Sequence, residues 1–129
     1  MSKNIEMKDI KLTDAEMNLM EIIWMKEKAF MKDILDAYPD PKPANTTVAT
    51  LLKRMQNKDL IGYTLFGNLR EYFPKVAKGD YFKDEMTSMI GRFFNNSVSQ
   101  FASFFTANTK LSQKELKELR EIIDQQIKE

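Results

Sequence analysis

In TTVATLLKRMQNKDLIGYTLFGNLREYF, residues 46–73, an apolar stripe at helical spacing gives way to two strand-like runs around a tight turn. At about 100° per residue, Val48, Leu51, Leu52 and Met55 fall on one side of a helix, while Thr46, Thr50, Lys53 and Asn57 project from the opposite side. The second face carries hydrogen-bonding groups and bases but no acid. IGYTLF and LREYF then read as two strands joined by Gly67-Asn68, a pair that favours two-residue hairpins, and Pro74 closes the second strand.

What precedes this stretch narrows the fold further. In LTDAEMNLMEIIWMKEK, Thr13 and Glu16 make a T-x-x-E capping box that starts a first helix. Its apolar positions Ala15, Leu19, Ile22 and Ile23, with Met17, Met20 and Trp24 beside them, cover more than a narrow stripe, which puts this helix in the middle of a core. A short second helix fits Met31 to Tyr38, because DPKP at 40–43 cannot continue one. The third then starts with Asn45 or Thr46 as cap and runs to about Lys58. Three helices followed by a hairpin, the last helix polar and basic outside, is the order of a winged helix-turn-helix.

Beyond Lys78 the character changes. Asp80–Asn95 and Ser97–Thr106 read as helices with a heavy aromatic load: Tyr81, Phe82, Phe93, Phe94, Phe101, Phe104 and Phe105. After a break at Asn108–Lys110, a second capping box, Ser112 with Glu115, opens a last helix with Leu116, Leu119, Ile122, Ile123 and Ile127 on one stripe. So few helices cannot bury both the stripe and the phenylalanines, and a second subunit is expected to cover them. The expected architecture is mostly α: a winged-helix DNA-binding domain over residues 1–78 and a small helical dimerisation region over 79–129.

Composition sets the function classes. With no Cys and no His in 129 residues, disulfides, thiolate or imidazole metal sites and Cys or His catalysis are excluded. There is no Gly-rich phosphate loop, and no serine has a histidine base, so the chain is not expected to be an enzyme or to need a cofactor or metal. No apolar run approaches the roughly 20 residues that span a bilayer, and MSKNIEMKDIK lacks a signal peptide's apolar stretch, so a cytoplasmic location without membrane contact is expected.

The net charge of +1 hides an uneven distribution. Residues 1–41 hold six Lys and nine acids (−3), residues 42–78 seven Lys/Arg and two acids (+5), and residues 79–129 seven Lys/Arg and eight acids (−1). On the DNA-binding reading, Thr and Asn side chains near the start of the third helix reach base edges, while Lys53, Arg54 and Arg70 contact phosphates. The same helix also fits a solvated amphipathic surface, and the hairpin a structural edge. Tyr72 fits either a DNA contact or packing on the third helix. Two other functions are compatible with the pattern: a winged helix used as a protein-interaction module, and a ligand-responsive regulator.

The segments LTDAEMNLMEIIW, TTVATLLKRMQNKDLIGY and REYFPKV resemble the BlaI/MecI family of penicillinase repressors, as does the closing LSQKELKELREII. The resemblance implies a winged-helix homodimer that binds a double-stranded operator dyad and represses transcription, often of a β-lactam resistance operon or of other stress genes. It maps the recognition helix onto Thr46–Lys58, with Thr46, Thr47 and Thr50 at DNA-contact positions and Arg54 at a basic one. Three residues depart from the pattern: Ala49, where some members carry a longer polar or basic residue, Asp59, where Gly is usual, and Phe73, before the proline. Family members are inactivated when a membrane sensor-protease pathway cuts an Asn-Phe bond in the dimerisation region. The nearest counterpart here is Gln100-Phe101, which makes a regulatory protease an implied partner. Metal-sensing branches carry tail cysteines, which this chain lacks.

Overall fold

The computed structural model describes residues 12–128, which divide into two compact units after Glu85. The first contains α1 (Asp14–Lys26), β1 (Ala29–Phe30), α2 (Met31–Ala37), α3 (Asn45–Asn57), β2 (Ile61–Phe66) and β3 (Leu69–Pro74). Helix α4 (Lys78–Phe93) carries residues of both units, and α5 (Val98–Asn108) and α6 (Gln113–Lys128) belong to the second.

Helix α1 begins where the capping box places it. The Glu16 amide bonds to Thr13 Oγ1 at 3.2 Å, and Glu16 Oε1 accepts from the Thr13 amide at 2.9 Å. Leu19, Met20, Ile22 and Ile23 of α1 are buried with Ile34 of α2, Val48, Leu51, Leu52 and Met55 of α3, and Leu60 and Ile61. Burying a side chain of this size stabilises by about 1.5–3 kcal/mol, so this cluster holds the three helices to one another. Within α1 one residue is displaced from the sequence reading: Ala15 is exposed, and its neighbour Glu16 is 1% exposed instead. Glu16 is tolerated there because Lys58 Nζ, at the end of α3, donates to its Oε1 at 2.8 Å. Trp24 lies at the edge of the core, half-buried, with its indole Nε1 donating to the Val76 carbonyl at 2.8 Å.

The sheet has three strands in the order β1-β3-β2, all antiparallel. The hairpin is the one legible in the sequence, with Phe66 paired to Leu69 across Gly67-Asn68. Gly67 has φ of +63° and Asn68 does not share it, the type II′ pattern that places glycine at the first turn position. The sequence reading did not contain β1. Its two residues pair with Tyr72 and Glu71, more than forty positions away, and so short a strand has no period of its own.

Helix α3 starts one residue earlier than expected. Its cap is Ala44, not Asn45 or Thr46, and no side chain caps the first turn. The loop before it is held instead by Lys42, whose Nζ donates to the Asp36 and Tyr38 carbonyls at 3.2 and 2.6 Å, at the end of α2.

In the second unit, α5 is capped by Ser97, whose Oγ accepts from the Gln100 amide at 3.1 Å. The predicted Ser112–Glu115 box opens α6, with both reciprocal bonds formed, at 2.8 and 3.0 Å. Asn95 and Asn96, both at positive φ, make the turn between α4 and α5. Tyr81 and Phe82, grouped by sequence with the C-terminal aromatics, belong to the first unit, where their rings lie 5.8 and 5.9 Å from that of Trp24. Among the described residues no helix is long and apolar enough to cross a membrane. The reading of MSKNIEMKDIK concerns residues outside those described.

Candidate nucleic-acid interface

Helices α2 and α3, the turn between them and the β2–β3 hairpin make a winged helix-turn-helix. Helix α3 is buried on its Val48–Leu51–Leu52–Met55 face and open on the other, where Thr46, Thr47, Thr50, Lys53, Arg54 and Asn57 are all exposed. The spacing that buries four apolar residues therefore also sets three threonines and two bases on one surface. The Thr50 hydroxyl donates to the Thr46 carbonyl at 3.0 Å, so its proton is engaged within the helix and its oxygen is left to accept.

The seven bases of residues 42–78 separate into two groups. Lys42 is bonded to carbonyls, Lys58 to Glu16, Lys75 to Asp59 and Lys78 to Glu21 at 2.9 Å. Lys53, Arg54 and Arg70 are exposed and make no ion pair among the described residues. The guanidinium of Arg70 lies over the Tyr63 ring, 4.3 Å from its centroid, which holds it on the hairpin. The three unpaired bases are the three that the sequence assigns to phosphate contact. The separation itself is not legible in sequence, because each ion pair joins residues at least 16 positions apart.

Tyr72 is packed in the core and beside Tyr63 on the hairpin. It is 6% exposed, with its ring 5.9 Å from that of Tyr63. Its side chain is therefore withdrawn from the candidate DNA contacts.

Asp59 has φ of +62°, a left-handed backbone conformation that costs most residues energy and costs glycine none. Aspartate tolerates it better than most, and here its carboxylate also accepts from Lys75 Nζ. Of the Glu16–Lys58 tie, the carboxylate is the sensitive member. Burial pushes its pKa up, but the Lys58 ammonium and the Thr13 amide and hydroxyl together outweigh that, and the net shift is downward.

The residues assigned to dimerisation lie in α4, α5, α6 and the turn after α4. Phe94 and Phe101 are half-buried against each other, 5.5 Å between centroids, with Phe104 and Phe105 at 5.7 and 5.9 Å from one or the other. Phe93, Phe104 and Phe105 remain exposed, as do Leu119, Ile122 and Ile123, with Leu116 half-buried. No described residue of 86–128 is buried. The Gln100-Phe101 bond lies in the first turn of α5. Among the described residues no cluster of three or more acids could hold a metal ion.

Fold and surface together define a winged-helix protein with a basic, threonine-rich third helix. The family model of the penicillinase repressor matches residues 12–125, and the chain belongs to that family. Among its relatives is the methicillin resistance regulatory protein MecI of Staphylococcus aureus (strain N315), 26% identical over 118 residues that cover 91% of this chain and 96% of that protein. The penicillinase repressor of Staphylococcus aureus is 24% identical, over 91% of this chain and 94% of its own length. MecI of Mammaliicoccus sciuri is 25% identical, with 91% and 96% covered.

Proposed function

We propose that the protein is a homodimeric transcriptional repressor whose α3 helices enter successive major grooves of an operator dyad. The observation that carries this reading is the separation of the bases. Folding engages four of the seven in residues 42–78, and the remaining three, Lys53, Arg54 and Arg70, lie on the outer face of α3 and on the hairpin. On this reading Thr46, Thr47 and Thr50 meet base edges while the three bases neutralise phosphates. The relatives named as regulators of methicillin resistance and as penicillinase repressor support a resistance operon as the target.

The dimer reading rests on the second unit, where α6 carries apolar side chains at helical spacing, α4 and α5 carry phenylalanines, and no described residue is buried. A second copy supplies the missing cover. Linking two half-site contacts makes operator binding far tighter than either alone, so cutting the Gln100-Phe101 bond would release the DNA. A protease acting there must first open the first turn of α5, which the Ser97 cap and the Phe94–Phe101 contact hold shut.

The test is binding of purified protein to the DNA upstream of its own gene and to a scrambled duplex across a salt series, with mass measured by light scattering. A dimer that prefers the upstream fragment, with a steep salt slope, is the expected result. Arg54→Ala should reduce that slope by about one unit and weaken binding to both duplexes alike. Equal, weak binding of the unaltered protein to both would overturn the reading in favour of a protein-interaction module.

A further inference from the structure

The end of the hairpin differs from the rest of its segment. Residues 62–69 carry no charge, although they lie inside the +5 stretch, and Leu65, Phe66 and Leu69 around the turn are 59%, 53% and 62% exposed. Alternation along the strands puts Leu65 on the face shared with Tyr63 and Arg70, and Phe66 and Leu69 on the opposite face. Both sides of the tip are therefore apolar. Phe66 leans on Phe30, 5.9 Å between centroids, and neither leucine is held in the core. Exposed leucines at a strand end are a liability in a monomer and persist where something covers them.

We propose that this tip is a wedge that enters the minor groove of the duplex and unstacks a base step, bending the DNA. The proposal rests on the DNA-binding reading given above and adds a role for residues that reading leaves idle. Three observations select a duplex as the occupant. The first charge beyond the tip is Arg70, held on the hairpin over Tyr63, where it complements a phosphate. The hairpin closes in two residues, so its end presents single side chains ahead of the ribbon, and only these, not the ribbon's full width, need enter a minor groove about 6 Å wide. Three half-exposed side chains fall well short of the ~800 Å² per partner that a stable protein interface buries, whereas apolar wedges of one or two Leu or Phe side chains suffice to kink DNA by roughly 20–90°.

The experiment measures the bend of circularly permuted fragments of the DNA upstream of the protein's own gene by gel mobility, with the full chain and with Leu65→Ser/Leu69→Ser. Both leucines are exposed, so the variant is expected to melt as the parent does. The expected result is a kinked complex for the parent, with one or two thymines made reactive to permanganate. The variant should give a straighter complex, bound roughly tenfold more weakly with the same salt slope. A parent complex with no bend and no reactive thymine would overturn the wedge while leaving the repressor standing. So would a bend unchanged in the variant, or a variant that alters only self-association by light scattering, which would make the tip a protein contact. Failure of the parent to bind the fragment at all would sink both readings.

Discussion

The two units use apolar residues at the same helical spacing and obtain opposite results. In the first, the stripes of α1, α2 and α3 meet one another and the start of β2, and thirteen side chains close into one core. In the second, α6 carries a stripe at least as regular, Leu116–Leu119–Ile122–Ile123–Ile127, yet no residue from 86 onward is buried among those described. Periodicity thus says which face of a helix is apolar and not what covers it. The first unit is stabilised by its own chain, whereas the proposed dimer makes the second unit's stability a function of protein concentration.

The sharpest way to break this contrast is Ile122→Asp/Ile123→Asp. Each carboxylate would have to be buried in the proposed interface, so the variant is expected to be monomeric by light scattering. Operator affinity should fall by a factor on the order of 10²–10⁴, while the first unit melts as before. A variant that stays dimeric would show that other residues hold the subunits together. The complementary change is Leu52→Ala. Leu52 is 1% exposed at the centre of the first core, and the loss should be about 2–5 kcal/mol. Thermal melts at two protein concentrations a hundredfold apart should show the same shift for the first unit, and a concentration-dependent shift would deny that its core is self-contained.

A smaller effect separates the units by pH. The Glu16 carboxyl is held below the ordinary carboxylate value of 4.5, with Lys58 and Thr13 favouring the charged form over the cost of burial. Folding therefore gains stability from this group at pH above about 4.5, and loses it as pH falls through the lower folded value. Lys58 is about a third exposed, which limits the contribution to about 1 kcal/mol. Glu16→Gln should flatten the acid limb of the first unit's stability profile without altering the second unit's. An unchanged acid limb would mean that other carboxylates set it.

What could be read from the sequence was whatever is encoded within a few residues. The Thr13–Glu16 and Ser112–Glu115 boxes, the Gly67-Asn68 turn and the buried face of α3 depend on spacings of four or less, and all are present. The misses concern partners far away in the chain. Strand β1 exists only because Tyr72 and Glu71 pair with it. Glu16 is buried only because Lys58, 42 positions later, reaches it. Tyr81 and Phe82 join the first unit because Trp24 offers them a surface. At the candidate interface, sequence supplied the threonines and the bases, but which lysines folding engages, and that Tyr72 is buried, required the tertiary structure.

Asp59 lies between these cases, and it carries the smallest prediction. From sequence it was only a departure from a family position where glycine is usual; the backbone shows why glycine suits it, since φ is +62° there. An L-residue in that region costs roughly 1–2 kcal/mol, less for aspartate, and the Lys75 partner that offsets the cost is a surface pair between side chains 44% and 78% exposed, worth about 0–1 kcal/mol. Asp59→Gly also frees the unfolded chain, which works against it. The balance is a gain of about 0.5 kcal/mol, read as a rise of about 2–4 °C in the first unit's melting temperature and independent of protein concentration. Because the change releases Lys75 beside the hairpin, nonspecific DNA affinity should rise slightly in the same variant. A fall in melting temperature would show that the ion pair outweighs the backbone strain.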